Sequence, residues 1–158
     1  MAVRRIVTGT VNGKSAIVVD DHAPEIPMAS NVWVASAEHP LGYDPASVKS
    51  LPLEPPSGGS NWRIVEWPPD AIYRAQVASN PMEGLDSVDM HRTDTLDYVL
   101  ILDGEIELEL ETGSVRLRGG DCVVQRATMH AWRNRSDRVV RMAVIMIDLP
   151  PLQKLEPG

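Results

Sequence analysis

Between residues 61 and 148 the apolar side chains recur mainly at every second position, in short runs separated by turn dipeptides. A period of two sends successive side chains to opposite faces of an extended strand, so a chain written this way builds sheets. The clearest run is 105–111, where Ile106, Leu108 and Leu110 share one face and Glu105, Glu107, Glu109 and Glu111 the other. Asp103-Gly104 before it is a hairpin turn signal, and 114–118 returns with Arg116 and Arg118 placed to pair with the glutamates. Further strands are predicted at 61–67, 72–77, 88–102, 122–125, 130–134 and 139–148. Strands this short, at this spacing, predict a sandwich or barrel. Residues 96–102 and 139–147 carry apolar side chains at both parities, so their outer faces need a cover: the N-terminal strands, a second subunit in a homodimer, or both.

The first 60 residues are written differently. Residues 5–11 and 15–20 read as two strands around Asn12-Gly13, and 31–36 as a third. Residues 38–60 hold five prolines and three glycines and read as a loop with one helical turn at 46–49. The predicted organisation is N-terminal strands and a Pro-rich loop over 1–60, a barrel over 61–149 and a tail over 150–158. At 158 residues the chain fits one domain. Its net charge of -7 argues against nucleic acid and anionic membranes, which select basic surfaces. With a single cysteine, Cys122, there is no internal disulfide and no Cys-based zinc site, and the expected thiol is buried and inert. No stretch reaches a membrane span of ~20 apolar residues, and the N-terminus lacks a signal-peptide core. The expectation is a cytoplasmic protein with a small-molecule partner.

The chemistry concentrates in two segments. On the period-two rule His91, Thr93, Thr95 and Asp97 share a face, which brings an imidazole and a carboxylate to one side of a sheet. His130 shares a face with Trp132 and Asn134. Two histidines and a carboxylate on neighbouring strands suit non-haem iron, zinc, manganese or nickel. The alternative is a metal-free pocket in which His91 and Asp97 pair directly, with His130 a lone base or a satisfied core group.

The spacing also carries a resemblance. His91, Thr93, three residues, Asp97, six residues and Gly104 is similar to the first cupin motif; Gly119, five residues, Gln125, Ala127, two residues, His130, three residues and Asn134 is similar to the second. The chain is identified as resembling single-domain cupins, over roughly 62–148. The wording of the two motifs looks like a subfamily that accompanies bacterial catabolic and fungal secondary-metabolite genes. The resemblance implies an all-β double-stranded β-helix, a jelly-roll barrel, with extra N-terminal strands. It implies one divalent metal on His91, Asp97 and His130. The family's second motif-one histidine falls on Thr93, a weak neutral ligand, its Glu falls on Asp97, and its Pro and Gly in motif two fall on Gln125 and Ala127.

Other candidates carry less. Trp132, on the face of His130, is expected as an aromatic pocket wall, and Trp33 as closing the pocket from the N-terminal arm. Arg126 is expected at the barrel mouth, positioned to bind a carboxylate or enolate, while Arg92 and Arg133 face away from the triad. His22, beside Asp20, Asp21 and Glu25, reads as a solvated acidic turn, and His39 as loop surface. Two functions follow. One is a metal-dependent enzyme (oxygenase, dehydratase, isomerase or decarboxylase) acting on an organic metabolite, with His130 as base where it is not a ligand. The other is a non-catalytic or metal-free cupin that binds a small molecule.

Overall fold

A computed structural model of the chain describes residues 2–47, 52–79 and 90–149, the Val77 side chain excepted. The tail at 150–158, the start of the strand expected from residue 88 and the end of the helical turn expected at 46–49 lie outside the described residues. Two strands, β1 (Arg4–Val11) and β2 (Lys14–His22), form a separate hairpin. Asn12 and Gly13 between them adopt φ of 51° and 74°, the paired positive values of a type I′ turn. The hairpin is tied down by Arg5, whose buried guanidinium meets Asp21 at 2.6 Å and Asp44 at 2.8 Å. His22 ends β2, opposite Arg4.

The barrel is built from two sheets. Strands β3 (Glu25–Ile26) and β4 (Ala29–Ala35) run alongside β5 (Ser60–Trp67), so the N-terminal segment supplies barrel wall as well as cover. The six-stranded sheet continues through β11 (Val140–Asp148), β6 (Thr95–Asp103) and β9 (Cys122–Arg126), in the order β3-β4-β5-β11-β6-β9. The facing sheet holds β10 (His130–Arg133), β7 (Glu105–Leu110) and β8 (Gly113–Arg118). Ile106 and Leu108 point inward as their alternation predicts, whereas Leu110 is 37% exposed at the strand end. On the outer face of β7 the glutamates meet arginines: Glu109 with Arg133 at 2.6 Å and Glu107 with Arg135 at 3.3 Å. Val99, Ile101, Ile106, Leu108, Leu117, Trp132, Val140 and Met142 fill the space between the sheets.

One element departs from the period-two reading. Residues 72–77, expected as a strand, lie in helix α1 (Asp70–Ser79). Pro68-Pro69 pre-sets the first turn, where the Pro69 carbonyl accepts from Ile72 and Tyr73 N–H, and the Ala, Arg and Gln that follow favour helix over strand. Among the described side chains of α1 only Tyr73 is deeply buried, packed on Trp67 with ring centroids 4.8 Å apart. Asn134, fully buried, secures this end of the barrel: its Nδ2 donates to the Trp67 and Arg138 carbonyls, and its N–H donates to Asp70. Cys122, expected to be buried, is exposed, because it opens an edge strand just after a turn.

The outer face of the six-stranded sheet carries an apolar row. Strand register aligns Val124, Tyr98, Ile145 and Trp62 across β9, β6, β11 and β5, and all four are more than a third exposed. The homodimer expected from the sequence would cover this row. Light scattering on the eluting protein at micromolar concentration should then return twice the 17.4 kDa chain mass, and Tyr98→Glu should return a single chain. A single-chain mass for the unmodified protein would remove the basis for the dimer.

Candidate functional site

A cavity of about 110 Å³ lies inside the barrel. The strand pleat decides what lines it: Arg63, Val65 and Trp67 from β5, Asp97 and Val99 from β6, Met142, Val144 and Met146 from β11, with Gln125, His130 and Trp132 from β9 and β10. His91 and Thr93 precede β6 and reach the cavity without belonging to the regular strand. Leu53, from the Pro-rich loop, completes the wall.

His91 and His130 are joined by a local antiparallel bridge in which each N–H donates to the other's carbonyl at 2.9 Å. Directly opposed residues place their side chains side by side, and the two imidazole centroids are 4.3 Å apart. Trp132 stands edge-on to His130 at 6.2 Å. The His130 Nδ1 lies 2.9 Å from the Thr128 carbonyl, which only accepts, so Nδ1 carries the proton and Nε2 presents a lone pair. The same Thr128 is held by Gln125, whose Nε2 donates to its carbonyl at 3.2 Å and its hydroxyl at 2.6 Å. Ala127 within this loop has φ of 49°, the left-handed conformation that the family's glycine adopts freely. The two departures in the second motif thus build the loop that orients His130.

Burial sets the charge states. It pushes the His130 pKa down to about 4, with the Thr128 carbonyl opposing, so the ring is neutral near pH 7. It pushes the Asp97 carboxyl up, against a Thr95 hydrogen bond and the attraction of His91. Asp97 Oδ1 is buried and has no hydrogen-bond partner among the described residues, and the same holds for Trp67 Nε1. Thr93 is occupied with Thr95, their hydroxyls 2.7 Å apart. Arg63 is 5% exposed; its Nε donates to Asn31 Oδ1 at 2.8 Å, Nη1 to the Leu53 carbonyl at 2.7 Å and Nη2 to the Pro52 carbonyl at 2.6 Å.

The expected residues therefore divide. His91, Thr93, Asp97, His130 and Trp132 come together around one cavity. Arg126 is exposed and Trp33 donates its Nε1 to the Leu41 carbonyl, both apart from the cavity lining. Arg92 pairs with Asp94 on the surface, and His39 is exposed beside Ser36. Among the described residues, no group of three or more His, Cys, Asp or Glu side chains is placed to hold a metal ion. The imidazole pair alone falls short of the three protein ligands a catalytic centre takes, so the side chains as arranged do not fit the expected metal. Arg63 and Trp67 were not anticipated as cavity residues, although both stand on the face of β5 that Val65 marks as inward.

No protein-family model matches the chain. A phomopsin biosynthesis cluster protein of Diaporthe leptostromiformis is 47% identical over 66 residues, which is 40% of this chain and 35% of that protein. A cupin-domain-containing oxidoreductase of Neurospora crassa is 31% identical over 144 residues, 84% of this chain and 66% of the relative. Another, of Hypocrea virens, is 33% identical over 106 residues, 63% of this chain and 47% of the relative. The matches thus span from about a third to about two thirds of the relatives' own length. A solved cupin 2 conserved barrel domain protein from Salinispora arenicola superposes with a TM-score of 0.41 at 17% identity, over 56% of this chain and 63% of that one.

Two outcomes follow from the His130 loop. Ala127→Gly relieves a left-handed alanine and should raise unfolding free energy by about 1 kcal/mol in urea melts; an unchanged midpoint would show no strain there. The depressed His130 pKa has a definite sign. Between pH 6.5 and about 4 the unfolded chain binds a proton that the folded chain refuses, so acidification through this window removes stability. The full effect is up to about 3 kcal/mol. Asp97 works the other way, since the folded chain takes up its proton first. Urea melts from pH 7 to 4 should therefore show His130→Asn losing less stability than the unmodified protein, and parallel profiles would contradict the buried neutral ring.

Proposed function

The chain belongs to the cupin superfamily, and on that premise we propose that it is an enzyme acting by acid–base chemistry on a small organic metabolite. The observation that carries this reading is the pairing, in one cavity, of a neutral imidazole with a free Nε2 and a buried carboxyl whose Oδ1 has no partner among the described residues. Burial moves the two groups in opposite directions, the acid toward keeping its proton and the base toward keeping its lone pair. His130 Nε2 accepts a proton from a carbon next to a carbonyl, and the Asp97 carboxyl donates a hydrogen bond to the oxygen on which charge develops. Trp132 and the aliphatic residues of β11 keep the cavity apolar, which favours a flat ligand and excludes bulk water. The reaction class is isomerisation or dehydration through an enolate.

A second reading is an oxidoreductase, favoured by the Neurospora crassa and Hypocrea virens relatives, both named cupin-domain-containing oxidoreductases. It calls for one divalent ion, iron before zinc, manganese or nickel. It also calls for a rearrangement that brings the Asp97 carboxylate to the imidazole pair.

The two readings separate in one set of measurements. Deuterium exchange at the methyl carbon of pyruvate, followed by proton NMR, should proceed with the unmodified protein and fall roughly a hundred- to ten-thousand-fold in His130→Asn. Equal exchange in both would sink the acid–base assignment. Metal analysis by mass spectrometry, on protein purified without an affinity tag, runs beside it. Near-stoichiometric iron that disappears in His91→Ala would establish the oxidoreductase reading instead. Ligand binding without exchange and without metal would leave a non-catalytic binding protein.

A further inference from the structure

We infer that Arg63 is the anchor of a carboxylate-binding subsite, and that the molecule taken up by the cavity is a small organic monocarboxylate held there by its charge. The inference rests on the small-molecule reading of the cavity and narrows its substrate class.

The argument starts from a contrast among buried arginines. Arg5, Arg63 and Arg133 are 3%, 5% and 7% exposed. Arg5 meets Asp21 and Asp44, and Arg133 meets Glu109 at 2.6 Å. Arg63 meets only neutral acceptors among the described residues: the Asn31 side chain and the carbonyls of Pro52 and Leu53. A charged group is buried at great expense unless an opposite charge lies beside it, and neutral oxygens recover only part of that. Holding a loop carbonyl needs a donor and not a charge, so a neutral amide would serve the structural purpose at a lower desolvation penalty. Burial also lowers the Arg63 pKa, with no acidic neighbour among the described residues to restore it.

The carboxyl nearest in the cavity does not supply the missing charge. Strand register puts Arg63 opposite Val144 and Asp97 opposite Met146, on the two flanks of β11. Two strand spacings separate their backbones, roughly 10 Å, and two residues of stagger add to it. A ligand seated between them can reach both.

The donors that remain suit a carboxylate. A guanidinium has five N–H groups, and three are engaged, leaving one on each Nη. Two N–H donors match the two oxygens of a carboxylate, whereas a phosphate dianion has more acceptors than this site can meet. The arrangement sets the carboxylate at β5 and the rest of the molecule toward Asp97 and His130.

Isothermal titration calorimetry with benzoate and its neutral isostere benzamide tests the charge requirement directly. The unmodified protein should bind benzoate at least tenfold more tightly than benzamide, and Arg63→Gln should lose that preference while keeping its circular dichroism spectrum. Equal affinities in the unmodified protein, or a preference retained by a folded Arg63→Gln, would overturn the assignment. Should Arg63→Gln fail to fold, the assigned Arg63 Nε–H resonance of the unmodified protein decides: displacement by benzoate and not by benzamide supports the subsite, and no displacement by either overturns it. Benzoate has no exchangeable proton next to its carboxyl, so this outcome is independent of whether His130 acts as a base.

Discussion

Strand β11 is the member on which the site depends. It is paired along nearly its whole length on both edges, with β5 on one side and β6 on the other. Those two registers place Met146 between Asp97 and Asn61, Val144 between Val99 and Arg63, and Met142 between Ile101 and Val65. Asn61 and Arg63 of β5 and Asp97 of β6 are thereby each flanked by a Met or Val side chain of β11. A slip of one residue would send the whole inward set to the outer face, so the register that closes the barrel is the same one that isolates its charges.

That isolation explains the electrostatics. Asp97 and Arg63 carry opposite charges when ionised, yet the apolar row of β11 separates them, and neither registers among the influences on the other's proton affinity. Each feels burial first. His130 also feels burial first, although it stands beside a second imidazole. A low-dielectric cavity with three groups held apart in this way keeps its acid and its base from neutralising one another, and a ligand supplies the interactions that the protein withholds.

Much of this was legible in the residues. The inward placement of Ile106 and Leu108 and the turn at Asn12-Gly13 survive, because both rest on backbone geometry that tertiary context rarely overrides. The spacing of the two motifs places His91 and His130 on one cavity, where a backbone bridge makes them neighbours. Residues 72–77 read as a strand because Ile72, Tyr73 and Val77 are β-prone, whereas the Pro68-Pro69 start favours the helix that forms. The metal triad rests on residue type and strand parity, which bring His91, Asp97 and His130 to one cavity without fixing the distances between them.

Arg63 shows what parity can still reveal when it is applied to every strand. Asn61, Arg63, Val65 and Trp67 alternate on β5 as regularly as the glutamates do on β7, and Val65 marks their face as inward. The same rule that dismisses the glutamates as a solvated surface identifies Arg63 as a cation turned into the barrel. Arg126, expected at the barrel mouth, lies exposed on an edge strand, where a single guanidinium in water binds a carboxylate weakly. Moving the same guanidinium to a buried place with no counter-charge among the described residues changes the balance, since water no longer competes for the anion. Strand parity, burial and the lack of a counter-charge among the described residues single out Arg63, where proximity to a motif does not.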